Sequence, residues 1–489
     1  ISEYELRMRK EARAEKLNER NNMRRARLAK NVNNSMRQTR GSSDNVTSLY
    51  TGKKKGLIIL VNFKDKKFTY SQKDFYALAN EKGYSKNGAK GSVSDYFYDQ
   101  SYGTFELKFD VVGPYNLSKV MSYYGRNVDT SQKGDDAMPG EMITEAVKLA
   151  DKDVNFADYD WDHDGDVDQV YVVYAGYSEA EGAPSTTIWP HEWNLESAKF
   201  FDNGGNGAVR LDNVWVNTYA CSSELSGMKG TDMAGIGSMC HEFSHCFGLP
   251  DMYDTKGDNF GMDSWSVMDY GSYNGNNKVP CGYTSYERWQ AGWLNPVELT
   301  NTCTIKNMKP LAEVPEAYVL YNDANHNEYY LLENRQYTSW DSEGYGHGLL
   351  ILHVDYDNDA WSDNTVNNDP SHQRLTIFPA DNDASATTLS GDPYPGTSKN
   401  TSLTDTSRPA AKLFNNNKDG KRLMGKPITN ITESASGTIS FKFTNPKATS
   451  IEMPTVAESS APKKIYSVTG QYLGTDPKEL PQGVYKVKK

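Results

Sequence analysis

The chain contains no long hydrophobic run and few cysteines. Of its 489 residues, 37% are hydrophobic, and no stretch approaches the roughly 18 consecutive apolar residues of a membrane-spanning helix. Five cysteines are too few to form a disulfide scaffold in a chain of this length, and their odd number leaves at least one thiol without an intramolecular partner. These absences favour a globular protein without a transmembrane segment, large enough for two or more domains.

The N-terminal segment differs in charge from the rest of the chain. Residues 1–40 contain twelve Lys or Arg and five Glu, whereas the whole chain carries a formal charge of −11. A basic arm on an acidic body could bind nucleic acid or an anionic surface, but the simpler prediction is that residues 1–48 dock on the rest of their own chain. A solvated, partly helical tail is the alternative, because apolar residues are sparse there. No signal peptide is visible; since the chain begins at Ile1, we expect that a leader has been removed and that the protein is secreted or lies at the cell surface.

Residues 241–251, with the sequence HEFSHCFGLPD, form the most informative pattern in the chain. An α-helix advances about 100° per residue, so the apolar residues of this region form one stripe: Ile236, Cys240, Phe243 and Phe247. His241 and His245 then lie together on roughly the opposite face, with Glu242 beside them. The pattern predicts a helix that buries its apolar stripe, including Cys240, and turns both histidines toward a cleft.

The residues after the second histidine are suited to supply a third metal ligand. Gly248 is expected to end the helix, because glycine tolerates a left-handed backbone, and Pro250 prevents its continuation. The chain bends back there, and Asp251 is the first side chain able to return to a metal bound by both histidines; Asp254 is the nearest alternative. Two imidazoles and one carboxylate leave the fourth tetrahedral position open for water, which is typical of a catalytic zinc site.

A second element occurs further along the chain, in residues 266–271, SVMDYG. It resembles the methionine turn of metzincins, with Met268 beneath the metal. Together with the extended histidine motif, it makes the chain similar to metzincin-type zinc metallopeptidases of the immune inhibitor A family, whose members carry Asp as the third ligand. Three other segments resemble secreted members from Bacteroidetes-type bacteria: WPHEW (189–193), YACSSEL (219–225) and GHGLLILHVD (346–355).

The resemblance implies a secreted zinc-dependent endopeptidase that hydrolyses peptide bonds in protein substrates. Glu242 would activate a zinc-bound water, and the zinc ligands would be His241, His245 and Asp251. Tyr270, two residues after Met268, is a candidate oxyanion stabiliser; the alternative is a packed aromatic in a chain with 32 tyrosines. His191 and His353 are expected to be structural.

The charge contrast between the basic arm, residues 1–48, and the acidic body predicts that the arm docks on the catalytic domain as a propeptide, which would make the protein a zymogen. The first cysteine of the chain is Cys221, so inhibition by a cysteine within the arm is excluded. Asp44 could act in its place.

A second metal-binding pattern is the acidic loop 160–168. Alternating carboxylates with a glycine at the sixth position suit the oxygen ligands and sharp turn of a calcium site, and the candidate ligands are Asp160, Asp162, Asp164, Asp166 and Asp168. Position twelve of the loop is Tyr171, where an EF-hand has Glu, and the loop runs into a predicted strand, so the pattern is not a full EF-hand. Calcium here would stabilise the catalytic domain; a solvated acidic turn is the alternative. Asp381, Asp383 and Asp392 form a much weaker candidate.

The order of predicted elements indicates an α/β metzincin-like catalytic domain, with a twisted mixed sheet plus the active-site helix, followed by an all-β sandwich-like domain. Residues 49–300 alternate strands (56–63, 105–112, 167–174) with helices (92–100, 140–150, and one opening at Thr284 with a Glu287 capping pair). Residues 301–445 give strand patterns at 328–336, 348–356, 374–379 and 437–443. Residues 446–489 read as a linker followed by a hairpin tail similar to C-terminal sorting modules.

Two other functions fit the same residues. One is a surface adhesin or binding protein that is stabilised by calcium and zinc and has an incidental peptidase site. The other is a zinc hydrolase of a different amide, such as a cell-wall peptide. Glu242 argues against the adhesin, because binding alone does not require a general base. No nucleic-acid partner is expected.

Overall fold

The structure is a computed structural model that describes residues 50–129 and 134–447 together with three strands near the C-terminus. The basic arm, residues 1–48, lies outside the described residues, so its predicted docking stays a prediction. The chain divides between Pro446 and Lys447 into two compact units. None of the helices in the described part of the chain is both long and apolar enough to cross a membrane.

A five-stranded, mostly parallel sheet organises the first half of the larger unit. Its strand order is β2-β1-β3-β7-β4, and only β4 runs antiparallel to its neighbour. The bounds of the strands in this half, including a separate β5–β6 hairpin, are β1 Gly52–Asn62, β2 Phe105–Asn116, β3 Val170–Tyr174, β4 His191–Asn194, β5 Val209–Leu211, β6 Val214–Val216 and β7 Thr218–Ser223. Strands β1 and β3 are buried on both faces, which explains their continuous hydrophobic sequences.

Helices cover both faces of this sheet. Alternate β1 residues point to opposite sides: Leu57 and Ile59 pack in the core that contains α4, whereas Ile58 and Leu60 pack in the core that contains α1, α2 and α6. The α-helices are α1 Gln72–Asn80, α2 Val93–Gln100, α3 Met121–Gly125, α4 Pro139–Ala150, α5 Leu195–Phe200, α6 Gly237–Ser244, α7 Asn274–Asn277, α8 Ser285–Gln290 and α9 Asn358–Ser362. Short 3-10 turns lie at Lys86–Gly88, Phe156–Tyr159, Glu179–Glu181, His245–Phe247, Asp263–Trp265, Tyr270–Tyr273, Ser339–Glu343 and Leu389–Gly391.

Capping residues explain where two of the helices begin. Ser92 caps α2 and forms a capping box with Asp95, and Thr284 does the same for α8 with Glu287. In each box the side chains satisfy main-chain N–H groups that have no partner within the helix. Both starts agree with the helices predicted from the sequence.

Two β-sheets form the second half of the larger unit. A five-stranded sheet has the order β13-β12-β11-β10-β8, and a three-stranded antiparallel sheet has the order β14-β15-β9. The strands are β8 Val297–Glu298, β9 Cys303–Met308, β10 Tyr318–Tyr321, β11 Glu328–Arg335, β12 Gly348–Asp355, β13 Leu375–Ile377, β14 Ile428–Glu433 and β15 Ile439–Phe443. Residues from both sheets share one apolar core, with Leu349 and Ile351 of β12 against Phe441 of β15.

The other face of β12 packs on the first half of the chain. Leu350 and Leu352 belong to the same apolar cluster as Phe97 of α2 and Phe243 of α6. The hydrophobic core therefore continues across residue 300. The predicted division into separate domains at that position stays a prediction.

The described residues of the smaller unit form three short antiparallel strands in the order β17-β16-β18. Their bounds are β16 Lys464–Ser467, β17 Tyr472–Gly474 and β18 Tyr485–Lys488. The segment for which a two-stranded hairpin was expected thus has three strands, because residues 464–474 alone form a strand pair. A sorting function for this segment stays a prediction.

Candidate metal centre

Helix α6 carries the first histidine of the motif and packs tightly against the loop that contains Ser272. A Cβ atom at Gly237, in its first turn, would lie 1.8 Å from the carbonyl oxygen of Ser272, so only glycine fits this close approach. The α-helix ends at Ser244, and His245 lies in the 3-10 turn that follows, which Gly248 closes with φ of 80°. Cys240 and Phe243 are fully buried, as the apolar stripe predicted.

The two histidines and Asp251 form one cluster. Asp251 Oδ1 lies 3.1 Å from His241 Nε2 and 3.3 Å from His245 Nε2, and one ligand atom from each of the three residues lies within 4.8 Å of the others. The alternative ligand, Asp254, instead accepts main-chain N–H groups of Lys256 and Asn259. The structure therefore brings Asp251, rather than Asp254, to the histidines.

Hydrogen bonds to main-chain carbonyls orient both imidazoles. His241 Nδ1 is 2.8 Å from the Val267 carbonyl oxygen, and His245 Nδ1 is 2.7 Å from that of Leu249. A carbonyl oxygen can only accept, so each Nδ1 carries the hydrogen and each neutral ring turns an Nε2 lone pair toward the cluster.

This arrangement fits a bound cation. Asp251 Oδ1 is buried and has no hydrogen-bond donor within the described residues when both rings are neutral, because their Nε2 atoms then carry no hydrogen. Three lone-pair atoms thus converge on one point, and such a buried set is stable only with a positive charge between them. Two imidazoles and one carboxylate are ligands that zinc prefers.

The charges within the cluster act strongly on one another. In the metal-free cluster, burial disfavours the charged imidazolium of His245, but the Asp251 carboxylate outweighs burial and raises the pKa of His245 to about 10, so a proton would take the place of the cation. Burial also acts to raise the pKa of Asp251, yet the two imidazoles hold it well below its usual range.

Glu242 lies beside the cluster. Its carboxylate is 3.9 Å from His245 Nε2, and its side chain is buried. Burial raises the pKa of Glu242 above its ordinary value, although the neighbouring imidazoles and a main-chain hydrogen bond from Glu192 favour the ionised form. A carboxylate with a raised pKa is suited to accept and return a proton near neutral pH. Since Glu192 belongs to β4, the edge strand of the sheet borders the site.

The predicted methionine turn lies against the same histidines. Met268 is fully buried, and its carbonyl oxygen accepts the main-chain N–H of Met252, next to Asp251. Val267, one residue earlier, provides the carbonyl that orients His241. The turn therefore supports both the helix and the loop that carry the candidate ligands.

Three tyrosines differ in their relation to the cluster. Tyr270, the predicted oxyanion stabiliser, is 61% exposed, with its ring 6.5 Å from that of Tyr273. Partial burial and the carboxylate of Glu242 raise the pKa of Tyr273 to about 12, which places its hydroxyl in the field of the general base. Tyr253 stacks on His241, with 6.3 Å between ring centroids. Sequence reasoning singled out neither Tyr253 nor Tyr273.

The acidic loop 160–168 brings three of its five candidate ligands together. Carboxylate oxygens of Asp160, Asp162 and Asp168 lie within 4.8 Å of one another. Asp160 also accepts the main-chain N–H of Asp164 and of Gly165, which turns the loop with φ of 90° at the glycine. Asp166 is half-buried and lies outside the group of three, as does the exposed Asp164.

The remaining histidines and aspartates that the sequence suggested have other neighbours. His191 Nδ1 bonds to the Trp189 carbonyl oxygen at 2.7 Å, and His353 Nε2 bonds to Glu328 at 2.9 Å, as suits structural histidines. The buried Asp392 accepts the Trp265 indole N–H. Among the described residues, Asp381, Asp383 and Asp392 do not come together as a group that could hold a metal ion.

Comparison with known proteins also points to a metallopeptidase. The family model described as the catalytic domain of immune inhibitor A peptidases, M6, matches residues 47–295. The Pre-pro-metalloprotease PrtV of Vibrio cholerae serotype O1 is 26% identical over 235 residues, which are 43% of this chain and 25% of PrtV. Immune inhibitor A of Bacillus thuringiensis subsp. alesti is 25% identical over 260 residues, 46% of this chain and 37% of that protein. The matched region thus spans 25% of the length of PrtV and 37% of that of the immune inhibitor A.

Proposed function

Because the chain belongs to the immune inhibitor A family of M6 peptidases, we propose that it is a zinc-dependent endopeptidase that cleaves peptide bonds in proteins. The observation that carries the proposal is the convergence of His241 Nε2, His245 Nε2 and Asp251 Oδ1 beside the buried carboxylate of Glu242. These three atoms would hold the metal. When bound, zinc would polarise a scissile carbonyl and make water more acidic.

The protein side chains would move the proton. Glu242 accepts a proton from the attacking water and passes it to the leaving amine, and the raised pKa of its carboxyl suits both steps. Tyr270 was the candidate for stabilising the oxyanion. Tyr273 is an alternative candidate, since its side chain is less exposed, at 42% against 61% for Tyr270, and the carboxylate of Glu242 contributes to the raised pKa of its phenol.

The edge of the sheet is the proposed place for the substrate. Strand β4 ends the sheet, and its Glu192 reaches the general base through a main-chain hydrogen bond. An extended peptide could add to this edge through main-chain hydrogen bonds, which would place its scissile bond beside Glu242. The buried Met268, whose carbonyl oxygen accepts the N–H of Met252 next to Asp251, also supports the proposed metzincin-type architecture.

Three further features belong to the proposal. Calcium bound by Asp160, Asp162 and Asp168 would stabilise the catalytic region. Residues 1–48 would act as an inhibitory propeptide, and the protein would act outside the cell. The relative from V. cholerae is named a pre-pro-metalloprotease, which supports both of these last points.

The test compares the native chain with Glu242→Gln for casein cleavage and zinc content. The amide cannot accept the proton, so we expect cleavage to fall by about 10²–10⁴-fold while the zinc content stays the same. Glu313→Gln, which changes an exposed carboxylate, serves as the control and should retain full activity. Cleavage at the native rate by Glu242→Gln would contradict the assignment of the base. Zinc without any cleavage by the native protein would favour a binding function instead.

A further inference from the structure

A loop from the second half of the chain bonds directly to the third candidate ligand. The side-chain amide of Asn364 accepts the main-chain N–H of Asp251 at 2.7 Å and donates to Asp251 Oδ2 at 2.6 Å. The oxygen and the nitrogen of one side-chain amide therefore both bond to the same aspartate. Because Oδ2 is occupied by this bond, Oδ1 is the oxygen that faces the two imidazoles.

Neighbouring amides hold the main chain on either side of this contact. Asn367 donates to the Met252 carbonyl oxygen at 2.6 Å, and Asn368 accepts the main-chain N–H of Thr255 at 2.9 Å. Further along, Gln373 accepts the N–H of Gly261 at 2.6 Å. We call residues 364–373 the amide clamp. The loop that carries Asp251 is thus bound at several points by side chains from outside the region that the family model matches.

We propose that Asn364 is a positioning residue for the metal centre, and that the amide clamp completes this centre from the second half of the chain. The proposal rests on the proposed function in that Asp251 is taken as a zinc ligand. The hydrogen bond to a carboxylate is charge-assisted and therefore strong. It holds Oδ1 in the direction of the histidines before the metal binds. Loss of such a supporting bond lowers metal affinity by about 10–100-fold.

The backbone at Asn364 determines which variants are informative. Its φ is 56°, a left-handed conformation that Asn, Asp and Gly tolerate better than other residues. Asn364→Gly removes the amide without backbone strain. Asn364→Asp keeps an acceptor for the Asp251 N–H but replaces the donor by a carboxylate that repels Asp251. Asn368→Ala is the matched control, because it removes a clamp contact to Thr255 and leaves the contact to Asp251 in place.

The experiment measures the zinc dissociation constant of the full chain by competition with a chromophoric chelator, together with the melting temperature of the metal-free protein. We expect both Asn364 variants to raise the zinc Kd by about 10–100-fold, and Asn368→Ala to leave it within about threefold of the native value. Metal-free Asn364→Gly should melt slightly below metal-free Asn368→Ala, since it loses the bond to the Asp251 carboxylate whereas Asn368→Ala loses only neutral contacts to Thr255.

Two results would overturn the inference: a native zinc Kd in either Asn364 variant, or an equal loss of affinity in Asn368→Ala, which would indicate general loosening of the loop. Failure of the proposed function looks different. In that case the native chain itself would bind no zinc or cleave no peptide bond, whereas failure of the inference leaves both properties intact in the native chain.

Discussion

Replacing Arg335 by methionine should destabilise the protein by about 5 kcal/mol. Arg335 stands at the end of β11 and is 2% exposed. Its guanidinium makes five hydrogen bonds: two to the carboxylate of Asp341, one to that of Glu333, and one each to the carbonyl oxygens of Trp265 and Gly282. The two carbonyls lie before residue 300, in the region that carries the candidate metal ligands, so this one side chain joins the second sheet to the region of the metal centre.

The magnitude follows from what the substitution leaves behind. Breaking a buried ion pair by removing one partner costs about 3–5 kcal/mol, and here Glu333 is fully buried and Asp341 nearly so. Each carboxylate keeps one main-chain donor, from Ser285 and Gly282 respectively, which limits the loss. Two carbonyl oxygens lose a donor as well, at about 1 kcal/mol each. Methionine fills much of the space, so a cavity contributes little.

The assay is equilibrium unfolding in urea, followed by tryptophan fluorescence, with Arg374→Met as the control. Arg374 is partly exposed, and the buried Asp355, 3.3 Å away, keeps His372 and Asn415 as partners without it, so we expect this control to lose about 1 kcal/mol. Arg335→Lys keeps the charge but loses the planar fork, so its stability should lie between those of the native protein and Arg335→Met. A loss of stability in Arg335→Met no greater than that in Arg374→Met would contradict this role of Arg335.

Two further predictions concern buried carboxylates. Burial raises the pKa of Asp136 to about 8, although the hydrogen bond from the Trp189 N–H opposes this shift. The stability that this carboxyl contributes is therefore complete below pH ~4, which is its pKa in the unfolded chain. It is lost as the pH rises through 8. Asp136→Asn should therefore melt higher than the native protein at pH 7 and show a flatter profile of melting temperature between pH 5 and 8; parallel profiles would argue against this. For the acidic loop, added calcium should raise the melting temperature of the zinc-loaded native protein by several degrees and that of Asp168→Asn by much less. An equal response of the two proteins would remove Asp168 from the site.

The part of the site that the sequence predicted is the part governed by local geometry. The 3.6-residue period placed His241 and His245 on one face of a helix. Gly248 with Pro250 gave the reversal that returns Asp251 to the histidines. These rules involve residues that are close in sequence and have few alternatives. The buried strand β1 and the capped starts of α2 and α8 were predictable for the same reason.

The sequence contains little local indication of those elements that form only through contacts with residues distant in the chain. Strand β4 has the sequence HEWN, in which every residue is half-buried, so neither alternation nor a hydrophobic run marks it. It forms because β7 provides a partner. The two tyrosines of the Tyr270–Tyr273 turn show the same limit: their spacing from Met268 does not decide which of them is the less exposed or which has a pKa that responds to Glu242.

The position of Asn364 gives the clearest case, because 113 residues separate it from Asp251. A change from mixed helices and strands to strands alone suggests a boundary near residue 300, but such a change reports only on local structure. It says nothing about which side chains share a core or a hydrogen bond. Leu350 in the common core, Arg335 between the two halves and Asn364 at the candidate ligand all cross that position. If these contacts contribute as argued, the metal centre requires both halves of the chain, and isolated residues 49–300 should bind zinc more weakly than the intact chain.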